Sequence, residues 1–508
     1  MTGNSASRAE MHGLAEWLST AAGTWERSSL PKRVLLTVAA MLMVAASVAS
    51  TILALRQDDE VLRTVVVLLT GSGAVAVIVV KLIGARAPAR VLDPLAGPLL
   101  YLGYCLLVPL GYMTVTGSGI QTMPSSMLNG ATVAVLCLSI CGFVVGAAIF
   151  QLFTNPSTVD GERSADSDRR GPITRDIGRL ILLVALAAKL YQLIVEGPVF
   201  LRIYGEGQLD YDLNAFVGVL GGSLVPVGSL LIMHGNMKIR DRPLARPDWI
   251  ILGSIAVLSL VFLGNRSELI APVVLFLWFQ LRSAKKFPLA AVVGVVAVVG
   301  ALFAIVAQVR VRNSGADGYP LIENVLVDTS SPILLTSDVT RLVPSEFGFY
   351  WGSTYIEALK FSLPGPLSRL LFGDPTGTGA FVYRDLIDFR ETGQGYGFAM
   401  PTEAYLNFGF AGVAIIAVAV GVLFAWAYWS AQRTSYGMRA LVYPLLVSYL
   451  AFGVRSDALG QFKSVVYPLV IMALALAIER VLLRRTGGPS GSHEWRWSSL
   501  APGRHGPA

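Results

Sequence analysis

Apolar residues in this chain come in long unbroken runs, with polar residues gathered in the short stretches between them. Such runs predict helices rather than half-buried strands, which would alternate. Twelve are expected, at roughly 33–55, 64–84, 95–115, 130–153, 177–196, 214–234, 249–263, 268–281, 289–309, 399–428, 440–454 and 464–482. Most approach the ~20 residues that cross the hydrocarbon core of a bilayer; the seventh and eighth are shorter. The expected fold class is an all-α polytopic membrane protein with about twelve transmembrane helices and one long, partly helical extracytoplasmic loop.

Composition agrees with that pattern. Of 508 residues, 54% are hydrophobic and 14% charged, against about 25% charged in soluble domains. No soluble domain of ordinary size fits between the runs. The first thirty residues are polar and lack a small-residue cleavage site, so the first span is expected to be an uncleaved anchor. Cys105, Cys137 and Cys141 all lie in apolar runs. Their placement predicts small core residues, not a disulfide framework or a metal site.

The net charge of +7 reports orientation rather than nucleic-acid binding, because lysine and arginine accumulate on the cytoplasmic side of membrane proteins. Every even-numbered span exits into a basic loop: Lys81 and Arg86 after the second, Arg169 and Arg170 after the fourth, Lys238 and Arg240 after the sixth. Arg282 and Lys285 follow the eighth, Arg433 and Arg439 the tenth, Arg484 and Arg485 the last. Both termini are therefore expected in the cytoplasm of a multi-pass inner-membrane protein. The division is a cytoplasmic segment 1–32, helices one to nine over 33–309, the outer loop 310–398, helices ten to twelve over 399–482, and a basic cytoplasmic tail 483–508.

Several charges stand where that rule does not ask for them. Arg266 lies in "FLGNRSE" (262–268), a tight outer turn between two apolar runs. Arg310 and Arg312 end the ninth span, and Arg455 ends the eleventh with Asp457 and Lys463 close behind. Lys189 lies inside the fifth span, where a charge costs about 2.5–3.5 kcal/mol on insertion scales. Each has an ordinary explanation. Arg266 would pair with Glu268, Lys189 with Glu196, Arg455 with Asp457, and the other two would snorkel to the interface. Together, arginines from separate helices at one membrane depth suit a lipid-borne diphosphate, which guanidinium forks bind bidentately.

The outer segment adds aromatic faces for sugar rings: Phe347, Phe349, Tyr350, Trp351, Tyr355, Tyr383, Tyr396 and Phe398. Interface anchoring is their ordinary role. "STYIEALKFSL" (353–363) reads as an amphipathic helix lying at the interface. Carboxylates such as Asp338 and Asp385 are candidate bases, although general base work needs one within hydrogen-bond reach of the acceptor hydroxyl. In "PTEAYLNFGFAGV" (401–413), Pro401 and Glu403 suit a helix start. Asn407 falls one turn further along the same face.

These residues resemble the O-antigen polymerase group, the Wzy-type oligosaccharide repeat-unit polymerases. The pieces are "FLGNRSELI" (262–270), the outer loop with "LVPSEFGFYWGSTYIEALKFSLPGPL" (342–367), and "EAYLNFGFAG" (403–412). The resemblance implies a membrane glycosyltransferase that moves a glycan from undecaprenyl diphosphate to a second lipid-linked repeat unit on the outer face. It makes Arg266 the motif arginine and Glu403 with Asn407 the late-helix pair. Arg266, Glu403 and Arg310 are the expected catalytic residues. Arg312, Arg455, Lys189, Asn407 and Tyr396 are the expected substrate-binding residues. No cofactor, no metal and no nucleic acid are expected. The expected partners are the lipid-linked donor and acceptor, the bilayer, and a chain-length regulator. A flippase of lipid-linked saccharide and an O-antigen ligase are the alternatives. The ligases are associated with an outer-face histidine, and His12, His234, His493 and His505 all fall on or near the cytoplasmic side.

Overall fold

A computed structural model describes residues 41–43, 45, 46, 48–50, 52, 60–83, 102–116, 128–153, 166–198, 213–240, 242–263, 267–283, 294, 321–373, 377–386, 398–434, 436–453 and 456–486. Among these residues the fold is all helical, with no strand. In chain order the helices are α1 (Glu60–Ile83), α2 (Val108–Thr116), α3 (Gly130–Phe153), α4 (Asp166–Glu196), α5 (Leu213–Arg240), α6 (Arg246–Val257) and α7 (Ser267–Ser283). There follow α8 (Leu321–Leu342), α9 (Ser353–Lys360), α10 (Gly365–Phe372), α11 (Gly379–Leu386), α12 (Met400–Arg433), α13 (Met438–Gly453) and α14 (Ala458–Thr486). A π turn, Gly103–Leu107, leads into α2, and another, Leu258–Phe262, prolongs α6.

Among the described residues, five helices are long and apolar enough to cross a membrane: α3, α4, α5, α12 and α14. They fall on five of the expected spans. The full count of twelve goes beyond the described residues, since most of 289–309 and of 33–55 lies outside them. Helix α4 begins eleven residues before the expected 177 because its first turns are polar, "DSDRRGPITRD". An apolar run marks the lipid-crossing part of a helix, not its aqueous extension.

Two helix pairs form the centre. Helix α3 packs along α12 at backbone contact distance. A Cβ added at Gly146 would lie 2.1 Å from the carbonyl oxygen of Val418, and one at Gly421 would lie 2.2 Å from that of Phe143. Small residues four apart let helices approach this closely where lipid supplies no hydrophobic drive. Helices α4 and α5 meet the same way, Gly178 against Gly228. Around these pairs a continuous apolar core includes Leu136, Leu182, Leu231, Trp278 and Tyr443. Outward stripes such as Val466, Val470 and Leu474 on α14 stay exposed, as lipid-facing surfaces must.

The segment expected as a long outer loop is largely helical where it is described. Helix α8 is a 22-residue helix packed against α2, α3 and α12. Its inward face buries polar groups in pairs. Thr336 bonds the Thr402 hydroxyl at 2.7 Å, and Asp338 accepts from the Tyr383 hydroxyl at 2.7 Å. At the opposite end of the bundle, Asp248 accepts from Arg179 Nε and Asn236 Nδ2, both at 2.7 Å, and joins α4, α5 and α6.

Candidate functional site

Helix α12 starts with Met400 and Pro401, and its first turn carries Glu403. Four residues on, Asn407 shares the same face. The helix then breaks at Gly409, whose φ of 62° and ψ of −153° belong to a region that only glycine enters readily. The break frees carbonyls that an intact helix would use internally. Leu406 and Asn407 instead accept from the backbone N–H groups of Tyr350 and Trp351, at 3.1 and 3.0 Å. The "NFGFAG" stretch thus turns one side of a helix into a docking edge for a segment fifty residues earlier.

That segment turns sharply to meet it. Trp351 and Gly352 both have positive φ, 50° and 89°. The turn directs the Gly352 N–H at Asn407 Oδ1, 2.9 Å away, and delivers Thr354 between Asn407 and Glu403. The Thr354 hydroxyl donates to Glu403 Oε1 at 2.7 Å and accepts from Asn407 Nδ2 at 2.7 Å. Asn407 Nδ2 also donates to the Glu403 carbonyl at 2.9 Å. Glu403 Oε2 accepts from the backbone N–H of Ala458, the first residue of α14, at 2.5 Å. Thr354, Glu403 and Asn407 are all at most 1% exposed. A buried carboxylate is costly unless its oxygens are bonded, and here both are.

A second carboxylate stands beside the first, close enough that their charges repel. Asp457 caps α14 through the Gly460 N–H at 2.9 Å, and its other oxygen accepts from Ala380 N–H of α11 at 3.3 Å. Two helix N-termini, each the positive end of a dipole, therefore converge on one side chain. Burial pushes the Asp457 carboxyl above the usual carboxylate range, while the two backbone donors and the nearby Lys463 pull against it. Glu403 and Asp457 together tie α9, α11, α12 and α14 into one unit. Gly379 fits against Glu403 so closely that a Cβ there would lie 2.9 Å from the carboxyl carbon.

The aromatic residues near this unit mostly serve packing. Tyr383 and Phe398 are buried in an apolar cluster with Tyr405, and Phe347, Phe349 and Tyr350 pack against it. Tyr355 stacks on Phe408, with planes 13° apart. Trp351 differs: at 74% exposed it presents its ring outward. Asp338, a candidate base, is buried, bonded to Tyr383 and 4.0 Å from Arg341.

A separate polar cluster lies deep among α4, α5, α6 and α7. Lys189 is fully buried, and its Nζ lies 2.5 Å from Glu268 Oε1. Ser259, in the π turn after α6, donates to Glu268 Oε2 at 2.5 Å. Gln192 Oε1 accepts from Lys189 at 3.3 Å. Backbone closeness makes the room: a Cβ at Gly221 or Gly222 would lie 3.3 Å from Lys189 Cε or Glu268 Oε1. The glutamate of "GNRSE" is therefore the counter-ion of Lys189, a pairing the sequence reading assigned to Glu196.

Arg266, Arg310, Arg312, Arg455 and Tyr396 lie outside the described residues. Of the expected site residues, the structure brings Glu403 and Asn407 together and seats Lys189 elsewhere, against Glu268. Sequence reasoning missed Thr354 and the capping role of Asp457. "STYIEA" carries a hydroxyl at a helix start, the signal for Thr354, but nothing local names its partners. His234 is buried in α5 between the rings of Phe279 and Tyr436. Among the described residues, no three His, Cys, Asp or Glu side chains come together as a metal site.

The family model for O-antigen polysaccharide polymerase Wzy matches residues 119–485. No curated protein and no solved structure matches the chain.

Proposed function

Because the chain belongs to the O-antigen polysaccharide polymerase Wzy family, we propose that it extends a glycan held on undecaprenyl diphosphate at the outer face of the inner membrane. Its family and its apolar helices make it a membrane-embedded polysaccharide polymerase. The family match across 119–485 carries the reading.

In the proposed reaction, a hydroxyl of the acceptor repeat unit attacks the anomeric carbon of the donor glycan. The new C–O bond forms as the bond to the lipid diphosphate breaks, and that oxygen leaves with the bonding pair. The hydroxyl proton goes to a base. Fixed cations stabilise the departing charge without a nucleotide donor. Arg266, Arg310, Arg312 and Arg455 are proposed for that role on the strength of their residue type and position, with Tyr396 offered to the sugar.

Glu403 and Asn407 take a different part in this reading. Both carboxylate oxygens of Glu403 already accept hydrogen bonds, and so does the Asn407 side-chain oxygen. They suit the positioning of the Tyr350–Thr354 turn and the start of α14 better than proton transfer. Lys189, matched to Glu268, is assigned to holding the two membrane segments that flank "GNRSE", rather than to the substrate.

Purified protein in proteoliposomes, given a lipid diphosphate-linked oligosaccharide repeat, tests the function. A ladder of lipid-linked products differing by one repeat is expected. Substrate that crosses the bilayer without growing longer would replace this reading with that of a flippase.

A further inference from the structure

Helices α9 and α10 each have eight residues, about 12 Å of helix, far short of a bilayer crossing. Each nonetheless has one strongly apolar outward face. On α9 and just after it these are Ile356, Leu359 and Leu363; on α10 they are Leu367, Leu370 and Leu371. Ile356 and Leu359 lie one turn apart on α9, as Leu367 does with Leu370 and Leu371 on α10, so each helix carries one apolar face. Leu359 is 65% exposed and Leu370 82%, the reverse of what a water-facing helix would show.

The opposite faces are already used. Thr354 is locked to Glu403, and Ala358 and Phe361 pack on Ala458 and Leu459 at the start of α14. Helix α10 buries Ser368 and touches α5. The Phe361 and Phe372 rings meet edge to face at 6.2 Å and join the ends of the two helices. Both helices therefore sit near the starts of α12 and α14, with α10 also touching α5. The same helices carry Glu357 and Lys360, paired at 2.5 Å, and the exposed Arg369. Helices with an apolar face, charged flanks and too little length to span lie in the plane of the membrane interface.

We propose that the joined outer faces of α9 and α10 rest in the headgroup–acyl boundary of the leaflet at that end of the bundle. Lipid is the favoured occupant because the surface is continuous with lipid-facing helix. The exposed stripe Val466, Val470 and Leu474 on α14 begins one turn after Phe462, which packs beside the α9 contact. The exposed Trp351 ring at the head of α9 is of the kind that anchors at an interface. The platform would fix the depth of the Thr354–Glu403–Asn407 unit relative to lipid headgroups. It requires nothing of the polymerase reading, and its test contains no glycan.

The test is spin labelling of the full chain in phosphatidylethanolamine/phosphatidylglycerol vesicles. Cysteine replaces Leu359 or Leu370, with Val470→Cys as the lipid-facing reference and Glu346→Cys as the aqueous one. Labels at 359 and 370 are expected to collide with oxygen more than with a nickel chelate, at a depth of about 5–10 Å. Collision dominated by the nickel chelate, as at 346, would overturn the proposal. So would labels shielded from both reagents, which would mean a second copy or another part of this chain covers the faces. Should either cysteine variant fold poorly, Leu367→Cys and Leu371→Cys read the same surface.

Discussion

Thr354 stands between Glu403 and Asn407, giving its hydroxyl hydrogen to the first and receiving one from the second, each at 2.7 Å. One small side chain thus completes the pairing of two buried polar groups on α12. Replacing it by valine keeps the shape and removes both bonds. A buried group left unpaired costs about 1–3 kcal/mol, so Thr354→Val is expected to lower the thermal unfolding midpoint in detergent and cut polymer output sharply. Thr354→Ser, which keeps the hydroxyl, should restore most of both. Equal behaviour of valine and serine variants would show that the hydroxyl has no part in holding the turn.

The break in α12 makes a sharper demand on the backbone. Gly409 occupies a left-handed conformation, and a Cβ there would also lie 3.2 Å from the Phe349 ring. Gly409→Ala must either hold a strained geometry, at about 1–3 kcal/mol, or straighten the helix. Straightening would recapture the Leu406 and Asn407 carbonyls from Tyr350 and Trp351. The expected outcome is protein that still inserts in the membrane but exposes the Tyr350–Thr354 turn to protease. Unchanged cleavage would argue against the docking role of the break.

What the sequence made legible follows from which forces are local. Lipid accepts only helices whose backbone bonds are all internal, so α3, α5 and α12 are written as apolar runs that can be read directly. Glu403 and Asn407 stood out because a polar pair four residues apart interrupts such a run. Helix α8 was not legible as a core helix because Asp338 and Thr336 look solvated until Tyr383 and Thr402 arrive from elsewhere in the chain. Likewise Glu268 finds its cation 79 positions away, a distance at which no spacing rule operates. The partners of buried polar groups were the hidden part, and in this fold they are long-range.

Lys189 and Glu268 offer a direct measurement of such a hidden term. Removing one member of a buried ion pair leaves an uncompensated charge and typically costs about 3–5 kcal/mol, while removing both is far milder. Lys189→Met and Glu268→Leu are each expected to reduce folded yield and unfolding midpoint strongly. The double variant should recover much of the loss, giving a favourable coupling energy in a double-mutant cycle. Additive losses would show that the two side chains act independently, contrary to their 2.5 Å separation.

Arg266 tests the chemistry proposed for the outer face. If its guanidinium forks a diphosphate oxygen pair, charge alone will not replace it, because an ammonium offers no rigid pair of donors. Arg266→Ala is expected to abolish the product ladder in proteoliposomes while the protein remains folded. Arg266→Lys loses one charged hydrogen bond, about 1.5–3 kcal/mol, which corresponds to roughly a ten- to hundred-fold slower extension. The comparison needs a stability control, since Arg266 directly precedes Ser267 and Glu268 of α7 in the sequence. Unfolding midpoints that match wild type, together with a lost ladder, would assign the defect to the diphosphate. A lysine variant that extends chains at the normal rate would leave a point charge as sufficient and remove the bidentate contact from the mechanism.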